Sequence, residues 1–155
     1  MRDQKRATYL IQDPYDDDAL QFIRTIFTYF GLRPLCFYTD RKGRFYGERR
    51  FAELRGDRIE ASLDVDLSDL PGFAREVAQR YDVLGVIPYR EDTLELAAEL
   101  SGLLGLDWNP AETVARFRNK HALKAFVKSQ DPSVRVPACW LVHKLDDVVA
   151  CRRAS

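Results

Sequence analysis

The sequence has little cysteine, and its cysteines are not arranged as a metal site or a disulfide framework. Its three cysteines are Cys36, Cys139 and Cys151, and none has a CxxC or CxxH spacing. An odd number of cysteines without zinc-ligand spacing supports neither a disulfide scaffold nor a structural zinc site. The two histidines, His121 and His143, add no metal-binding spacing. We therefore expect free thiols in a reducing, cytoplasmic environment.

Net charge is also absent, because 24 basic residues balance 24 acidic ones. A protein without net positive charge has no global field that attracts nucleic-acid phosphates. The basic stretch 41–50 includes Phe45 and Tyr46 and could contact RNA. Its interleaved acidic residues favour a solvated loop instead, so we expect no nucleic-acid partner.

Long apolar runs are missing as well. The only apolar run near the start is Ala7–Ile11, which is too short for a signal peptide, and no run approaches the roughly 20 residues that span a membrane. Aromatic residues make up 12% of the chain, which excludes a disordered protein. A length of 155 residues predicts one domain, or one domain with part of another.

A glycine-rich phosphate loop is missing where a dinucleotide enzyme needs it. Residues 12–18 follow the predicted first strand, contain no glycine and include three consecutive aspartates. Carboxylates at a helix start favour the helix dipole but repel phosphate, which argues against a dinucleotide-binding enzyme. We predict an acidic helix start, with Asp13 as the N-cap and Pro14 at the first helical position.

The patterns that are present predict alternating strands and helices. Apolar runs and period-two alternation predict strands at 7–11, 35–38, 59–67, 83–87 and 136–142; helical spacing predicts helices at 14–30, 69–80, 93–104, 110–118, 120–126 and 145–153. This order indicates an α/β fold with a Rossmann-like open, mostly parallel sheet and helices on both faces. The 59–67 strand is predicted near the sheet edge and the apolar 83–87 strand at its centre. The first helix is predicted to bury one face, formed by Ala19, Leu20, Ile23, Ile26, Phe27 and Phe30.

Polar residues after the 83–87 strand are one candidate binding site. Ligands of open parallel sheets bind beyond the carboxyl ends of the strands. Arg90 and Glu91 lie there, and Glu91 could hold a substrate amine. On residue types alone, helix capping by Glu91 or Asp92 is the more common explanation.

A basic stretch is the second candidate. Arg116, Lys120, Lys124 and Lys128 recur every four residues, which predicts one stripe on a helix. Such a stripe could bind the phosphates of a nucleotide. A solvated helix face is the simpler alternative.

Three features between Tyr81 and Val142 carry a family resemblance: a strand followed by Pro and Glu, a helix with a Gly stop, and a capped helix followed by a basic segment. In order they are Val83-Leu84-Gly85-Val86-Ile87-Pro88-Tyr89-Arg90-Glu91, Leu103-Leu104-Gly105-Leu106, and Asn109-Pro110-Ala111-Glu112 with Arg116-Phe117-Arg118-Asn119-Lys120 and then Val136-Pro137. This order resembles the junction of an ATP-grasp carboxylate–amine ligase, of the biotin carboxylase-like and amino-acid ligase-like kind. Asn119 stands where Asp is commoner in that family, and its residue type also predicts an N-cap for the 120–126 helix.

The resemblance implies a division of the chain and a set of roles. Residues 1–108 would form the preATP-grasp domain, and 109–155 the beginning of an ATP-grasp domain. Lys120 and Arg116 would contact the nucleotide, and Glu91 and Arg90 would lie on the substrate side. The full enzyme would use ATP and magnesium to activate a carboxylate as an acylphosphate, which an amine or a thiol then attacks.

The same resemblance implies that catalytic parts are missing. Before Ser155 there is no second lysine on a strand, no glycine-rich flap and no Glu/Asn set for magnesium. We therefore expect a non-catalytic N-terminal portion without catalytic residues or a metal of its own. The alternative is a stand-alone Rossmann-like domain that binds a small molecule or a protein. We also expect residues 130–155 to bury their apolar groups in a homo-oligomer or swapped dimer.

Overall fold

The computed structural model describes residues 5–14, 16–39, 47, 49, 52 and 58–154. Most of the basic stretch 41–50, and with it the possible RNA contact, lies outside these residues. The chain divides into two compact units, Met1–Ala111 and Glu112–Ser155, which are described separately.

The first unit is built on a four-stranded, entirely parallel sheet. Its strands are β1 (Arg6–Gln12), β2 (Leu35–Tyr38), β3 (Ala61–Asp64) and β4 (Tyr81–Pro88), in the spatial order β3-β2-β1-β4. Parallel neighbours need crossover connections, and helices of the first unit supply two of them. The predicted α/β, Rossmann-like fold class is confirmed.

The helices follow the predicted order. They are α1 (Asp17–Phe30), α2 (Leu70–Arg80), α3 (Leu94–Leu103), α4 (Ala111–Arg118), α5 (Lys120–Gln130) and α6 (Leu145–Ala154); short 3₁₀ turns at Leu67–Asp69 and Glu91–Thr93 precede α2 and α3. Asp69 caps α2 by accepting a hydrogen bond from the Gly72 backbone N–H at 2.9 Å. Gly31 ends α1 with a left-handed φ of 66°, as expected of a glycine after a helix.

Two apolar clusters cover the two faces of the sheet. Because side chains alternate along a strand, Leu10 of β1 belongs to one cluster, with residues from α2 and α3, while the adjacent Ile11 belongs to the other, with residues from α1. Both residues are fully buried. The helices therefore lie on both faces, as the sequence predicts.

The start of α1 differs from the prediction. Its N-cap is Asp16, whose carboxylate accepts a hydrogen bond from the Ala19 backbone N–H at 2.9 Å. Asp13 instead adopts a left-handed backbone with φ of 47° and lies outside the helix. The prediction of Asp13 as the cap was wrong because two aspartates compete there, and Asp13 bonds across the sheet instead.

The apolar face of α1 is buried only in part. Ile23 and Ile26 are buried, whereas Phe30 is 67% exposed. Phe27 is only half-buried, and the guanidinium carbon of Arg58 lies 5.9 Å from its ring centroid. The predicted burial of both phenylalanines was therefore wrong, because neither belongs to the apolar cluster through which α1 packs on the sheet.

Strand positions were predicted with mixed success. β3 lies at the sheet edge, as its period-two alternation indicates, although it is shorter than the predicted 59–67. β4 was predicted at the centre but lies at the opposite edge of the sheet that the described strands form. Leu84 of β4 is 45% exposed, so an apolar run here does not mark a doubly covered strand.

Burial makes Cys36 unreactive. It lies in β2 with no exposed surface, and burial raises the pKa of its thiol from 9.0 to about 12. The attacking species is the thiolate, so Cys36 stays protonated and inaccessible at neutral pH, whereas Cys139 is half-exposed. In a Cys151→Ser background, iodoacetamide at pH 8 is expected to alkylate Cys139 in the native protein and Cys36 only after denaturation. Mass spectrometry of tryptic peptides measures this order, and equally fast native labelling of Cys36 would contradict it.

The second unit has no buried core of its own among the residues described. None of residues 112–149 is buried, and Trp140, Leu141 and Val142 are 44%, 58% and 47% exposed. The strand predicted at 136–142 does not form, because an isolated strand has no partner for its backbone hydrogen bonds. The homo-oligomer or swapped dimer that would cover these side chains stays a prediction.

In the part of the chain that the structure describes, we find no helix with the length and apolar character that crossing a membrane requires. The cytoplasmic location stays a prediction.

Candidate functional site

The topology brings two sequence-predicted loops to one place. β2 and β3 lie on one side of β1, and β4 lies on the other, so the strand order reverses between β1 and β4. Gln12 is paired with Pro88 in the register of these two strands, so both strands end together. Ligands of open parallel sheets bind at such a switch point, beyond the carboxyl ends. We call the region between residues 12–14 and the 88–93 loop the switch-point crevice.

Asp13 makes the first of these loops rigid. Its carboxylate accepts hydrogen bonds from the Thr39 backbone N–H and hydroxyl, both at 2.8 Å, and its own N–H donates to the Phe37 carbonyl at 2.9 Å. Asp13 is 4% exposed. Aspartate tolerates the left-handed backbone, and these bonds hold it there. The loop after β1 is thus tied to the end of β2.

Gln12, at the end of β1, is a polar residue buried under the crevice edge. It is 1% exposed, and its side-chain oxygen Oε1 has no hydrogen-bond partner among the described residues. A buried acceptor without a partner is uncommon and costs free energy. Sequence patterns do not reveal this residue, because a glutamine at the end of an apolar strand resembles an exposed loop residue.

The second loop carries the predicted Arg90 and Glu91. Glu91 is exposed and begins the 3₁₀ turn, and the Arg90 guanidinium pairs with the Asp92 carboxylate. The Arg90 carbonyl accepts hydrogen bonds from the Thr93 backbone N–H and hydroxyl, at 3.1 and 2.7 Å. Neither the 3₁₀ turn nor α3 has a side-chain capping bond. The interpretation of Glu91 or Asp92 as a helix cap was therefore wrong.

The predicted basic stripe is interrupted. α4 ends at Arg118 and α5 begins at Lys120, with Asn119 between them. The Asn119 side chain accepts hydrogen bonds from the backbone N–H groups of His121 and Ala122, at 3.1 and 3.0 Å, which confirms its predicted capping role. Arg116 therefore lies on a different helix from Lys120, and the prediction of one continuous stripe was wrong.

Arg116 has a structural contact instead. Its guanidinium carbon lies 4.1 Å from the ring centroid of Phe126 in α5. A guanidinium stacked on an aromatic face is stabilised by a cation–π interaction. This contact joins α4 to α5, a pairing that four-residue spacing could not indicate.

The other basic residues of α5 line a cleft within the second unit. The cleft has a volume of about 300 Å³ and is lined by His121, Lys124 and Lys128 on one side and by Pro137, Cys139 and Trp140 on the other. Lys120 and Arg116 are not among its lining residues. The four-residue spacing of Lys124 and Lys128 was visible in the sequence, but the contribution of Trp140 depends on how the segment after α5 packs.

These features define an open parallel α/β protein of the Rossmann-like class, whose strand order reverses between β1 and β4. No protein-family model and no curated protein sequence matches the chain. Among solved structures, the chain is similar to the crystal structure of an L-amino acid ligase from Bacillus licheniformis, with a TM-score of 0.62 and 19% sequence identity. The match covers 95% of this chain and 35% of that ligase, so the chain spans about a third of its length. The resemblance to the ATP-grasp ligases inferred from sequence is confirmed at the level of the fold.

Proposed function

We propose that this chain is the N-terminal portion of an ATP-dependent carboxylate–amine ligase and does not catalyse the reaction by itself. The observation that carries the proposal is the fold: 95% of the chain superimposes on part of a solved L-amino acid ligase. In the proposed reaction, ATP phosphorylates a substrate carboxylate and ADP leaves; an amine then attacks the acylphosphate carbonyl, forms an amide bond and displaces inorganic phosphate. A thiol nucleophile is the variant of the same chemistry.

The switch-point crevice supplies the proposed substrate contacts. The Arg90 guanidinium would bind a substrate carboxylate through two parallel hydrogen bonds, and the Glu91 carboxylate would bind an ammonium group. The Arg90–Asp92 pair is exposed, with side chains 42% and 52% accessible. Exposed ion pairs are weak, so a substrate carboxylate can compete with Asp92 for the guanidinium.

Lys120 is the proposed nucleotide contact. It is the first residue of α5, directly after the Asn119 cap. The partial positive charge of a helix N-terminus and a lysine ammonium both favour phosphate oxygens. Arg116 would act indirectly in this proposal, because its stacking on Phe126 orients the two helices.

The magnesium that the family uses does not fit the residues described. Among them, no three His, Cys, Asp or Glu side chains come close enough together to hold a metal ion. We therefore derive no step through magnesium from this chain.

The purified 155-residue chain is expected to bind an L-amino acid without releasing ADP. Calorimetric titration would measure binding of a panel of L-amino acids, and a coupled assay would measure ADP release with ATP and magnesium present. Glu91→Gln is expected to weaken binding about tenfold, since it removes the charge opposite the ammonium. Glu99→Gln, an exposed substitution on α3, is the matched control and should leave binding unchanged.

Two outcomes would contradict this assignment. Amino-acid-dependent ADP release from the pure chain would show that it carries its own catalytic groups. Amino-acid binding that Glu91→Gln and Glu99→Gln reduce equally would place the substrate outside the crevice.

A stand-alone binding domain is the second candidate. The first unit holds both apolar clusters and both crevice loops, so the binding features do not depend on residues after Ala111. This candidate predicts that the chain binds its ligand by itself. It also predicts that a longer protein containing the chain would not need to consume ATP for that binding.

A further inference from the structure

A second cleft lies at the amino-terminal ends of the strands, opposite the switch-point crevice. We call it the amino-edge cleft. Arg6 begins β1, Arg33 precedes β2 and Glu60 precedes β3, and these three strands are neighbours in the sheet. The three side chains line a cleft of about 360 Å³, together with Thr8 and Gly31. A volume of this size is in the range of small-molecule sites.

An ion pair crosses this cleft. The Arg6 guanidinium lies 2.6 Å from a Glu60 carboxylate oxygen, although β2 separates their strands. The Glu60 side chain is 15% exposed, whereas that of Arg6 is 74% exposed. Glu60 is therefore the more enclosed partner of this ion pair, whereas the Arg6 side chain lies on the solvent side of the cleft.

Arg33 supplies the second guanidinium of the cleft. Its side chain is exposed, and its guanidinium has no ion pair or hydrogen bond among the described residues. Its backbone is held firmly, because the Thr8 hydroxyl donates to the Arg33 carbonyl at 2.8 Å and the Glu60 N–H donates to the Pro34 carbonyl at 3.0 Å. The loop that carries Arg33 is thus fixed before any ligand arrives.

The charges of the cleft favour an anion. Two guanidinium groups face one carboxylate, which leaves one positive charge in excess. The C-terminal end of α1, at Gly31, opposes an anion through its dipole, but that partial charge is smaller than the excess of one guanidinium. A guanidinium can bind a carboxylate or a phosphate group through two parallel hydrogen bonds, which adds geometric specificity to the attraction between the charges.

We propose that this amino-edge cleft binds a small ligand carrying phosphate or carboxylate oxygens, held by Arg33 and by Arg6 after Arg6 turns away from Glu60. The site is independent of the proposed ligase function, because it lies at the other edge of the sheet. Glu60 competes with the ligand for Arg6, so occupancy of the cleft and the Arg6–Glu60 ion pair exclude each other. A strong ligand therefore releases Glu60 from its partner.

Titration of the native chain with pyrophosphate and with citrate tests the proposal. Calorimetry at low ionic strength avoids screening of the contact. We expect saturable binding that Arg33→Gln weakens tenfold or more and that Glu60→Gln strengthens several-fold. Arg75→Gln, on the exposed face of α2 and outside the cleft, should have no effect. Tighter binding of pyrophosphate identifies a phosphate ligand, and tighter binding of citrate identifies a carboxylate ligand.

The opposite results would overturn the proposal. They are absence of saturable binding of both anions, or affinity that Arg33→Gln leaves unchanged, or equal weakening by Arg33→Gln and Arg75→Gln. Weaker binding by Glu60→Gln would also overturn it, because it would show that the carboxylate supports the ligand rather than competing with it. Thermal unfolding of each variant confirms that the exposed substitutions leave the fold intact.

Discussion

Phe37→Ala is expected to lower the free energy of unfolding by about 3–5 kcal/mol. Phe37 is in β2, has no exposed surface and is one of the largest fully buried side chains. Its ring packs against Phe73 of α2, with centroids 5.7 Å apart. Removing the ring loses its transfer free energy and leaves a cavity that the strand and helix cannot close. Urea denaturation monitored by circular dichroism measures the loss.

Phe27→Ala provides the matched comparison, because the same atoms are removed from a half-buried site. The sequence places Phe27 on the buried face of its helix, which would predict the same 3–5 kcal/mol. With the ring half-exposed beside Arg58, we expect a loss of only about 1–2 kcal/mol. Equal losses of stability from the two substitutions would contradict the half-buried position of Phe27 in α1. A loss below about 1 kcal/mol for Phe37→Ala would contradict the full burial of Phe37.

Lys120→Ala is expected to raise the Michaelis constant for ATP by roughly 10- to 150-fold in the complete ligase that the proposed function implies. A charge-assisted contact to phosphate contributes about 1.5–3 kcal/mol, and each 1.4 kcal/mol corresponds to a factor of ten. Steady-state kinetics with ATP varied measures this constant. Arg116→Ala is expected to act more weakly, because its stacking on Phe126 orients the helices without touching the nucleotide.

The control for Lys120 has to lie outside the cleft of α5. Lys128 has the same spacing on the helix, but it lines the cleft with Lys124 and Trp140 and so is not neutral. Lys144 is exposed and precedes α6, which makes Lys144→Ala the better control. If Lys124→Ala raises the constant while Lys120→Ala does not, phosphate binds in the cleft and the role implied by the family resemblance fails.

Much of the fold could be predicted from the sequence, because local patterns report local structure. Apolar runs and helical spacing predicted the four strands of the sheet and the helices between them. Asn119 was recognised as a cap from its residue type and position. The strand predicted at 136–142 was wrong, since its residues have strand character but no neighbour to pair with. A strand needs a partner, and its own residues do not reveal whether one exists.

The candidate site was only partly visible in the sequence. Arg90 and Glu91 were identified because they follow a strand, and ligands bind where parallel strands end. Asp13 was taken for a helix cap, because its bonds to Thr39 connect positions 26 residues apart. Gln12 and the Arg6–Arg33–Glu60 cleft were missed for the same reason: their residues meet only when neighbouring strands are aligned.

The sequence by itself determined the alternation of strands and helices up to α3, the cap at Asn119, and the lack of a glycine-rich dinucleotide loop. These depend on interactions between residues a few positions apart, which residue types and spacing describe directly. The tertiary structure alone decided the strand order β3-β2-β1-β4, and with it the edge position of β4, the switch-point crevice and the amino-edge cleft. Strand order depends on which distant apolar faces pack together, and a residue's spacing along the chain carries no information about its neighbour in another strand.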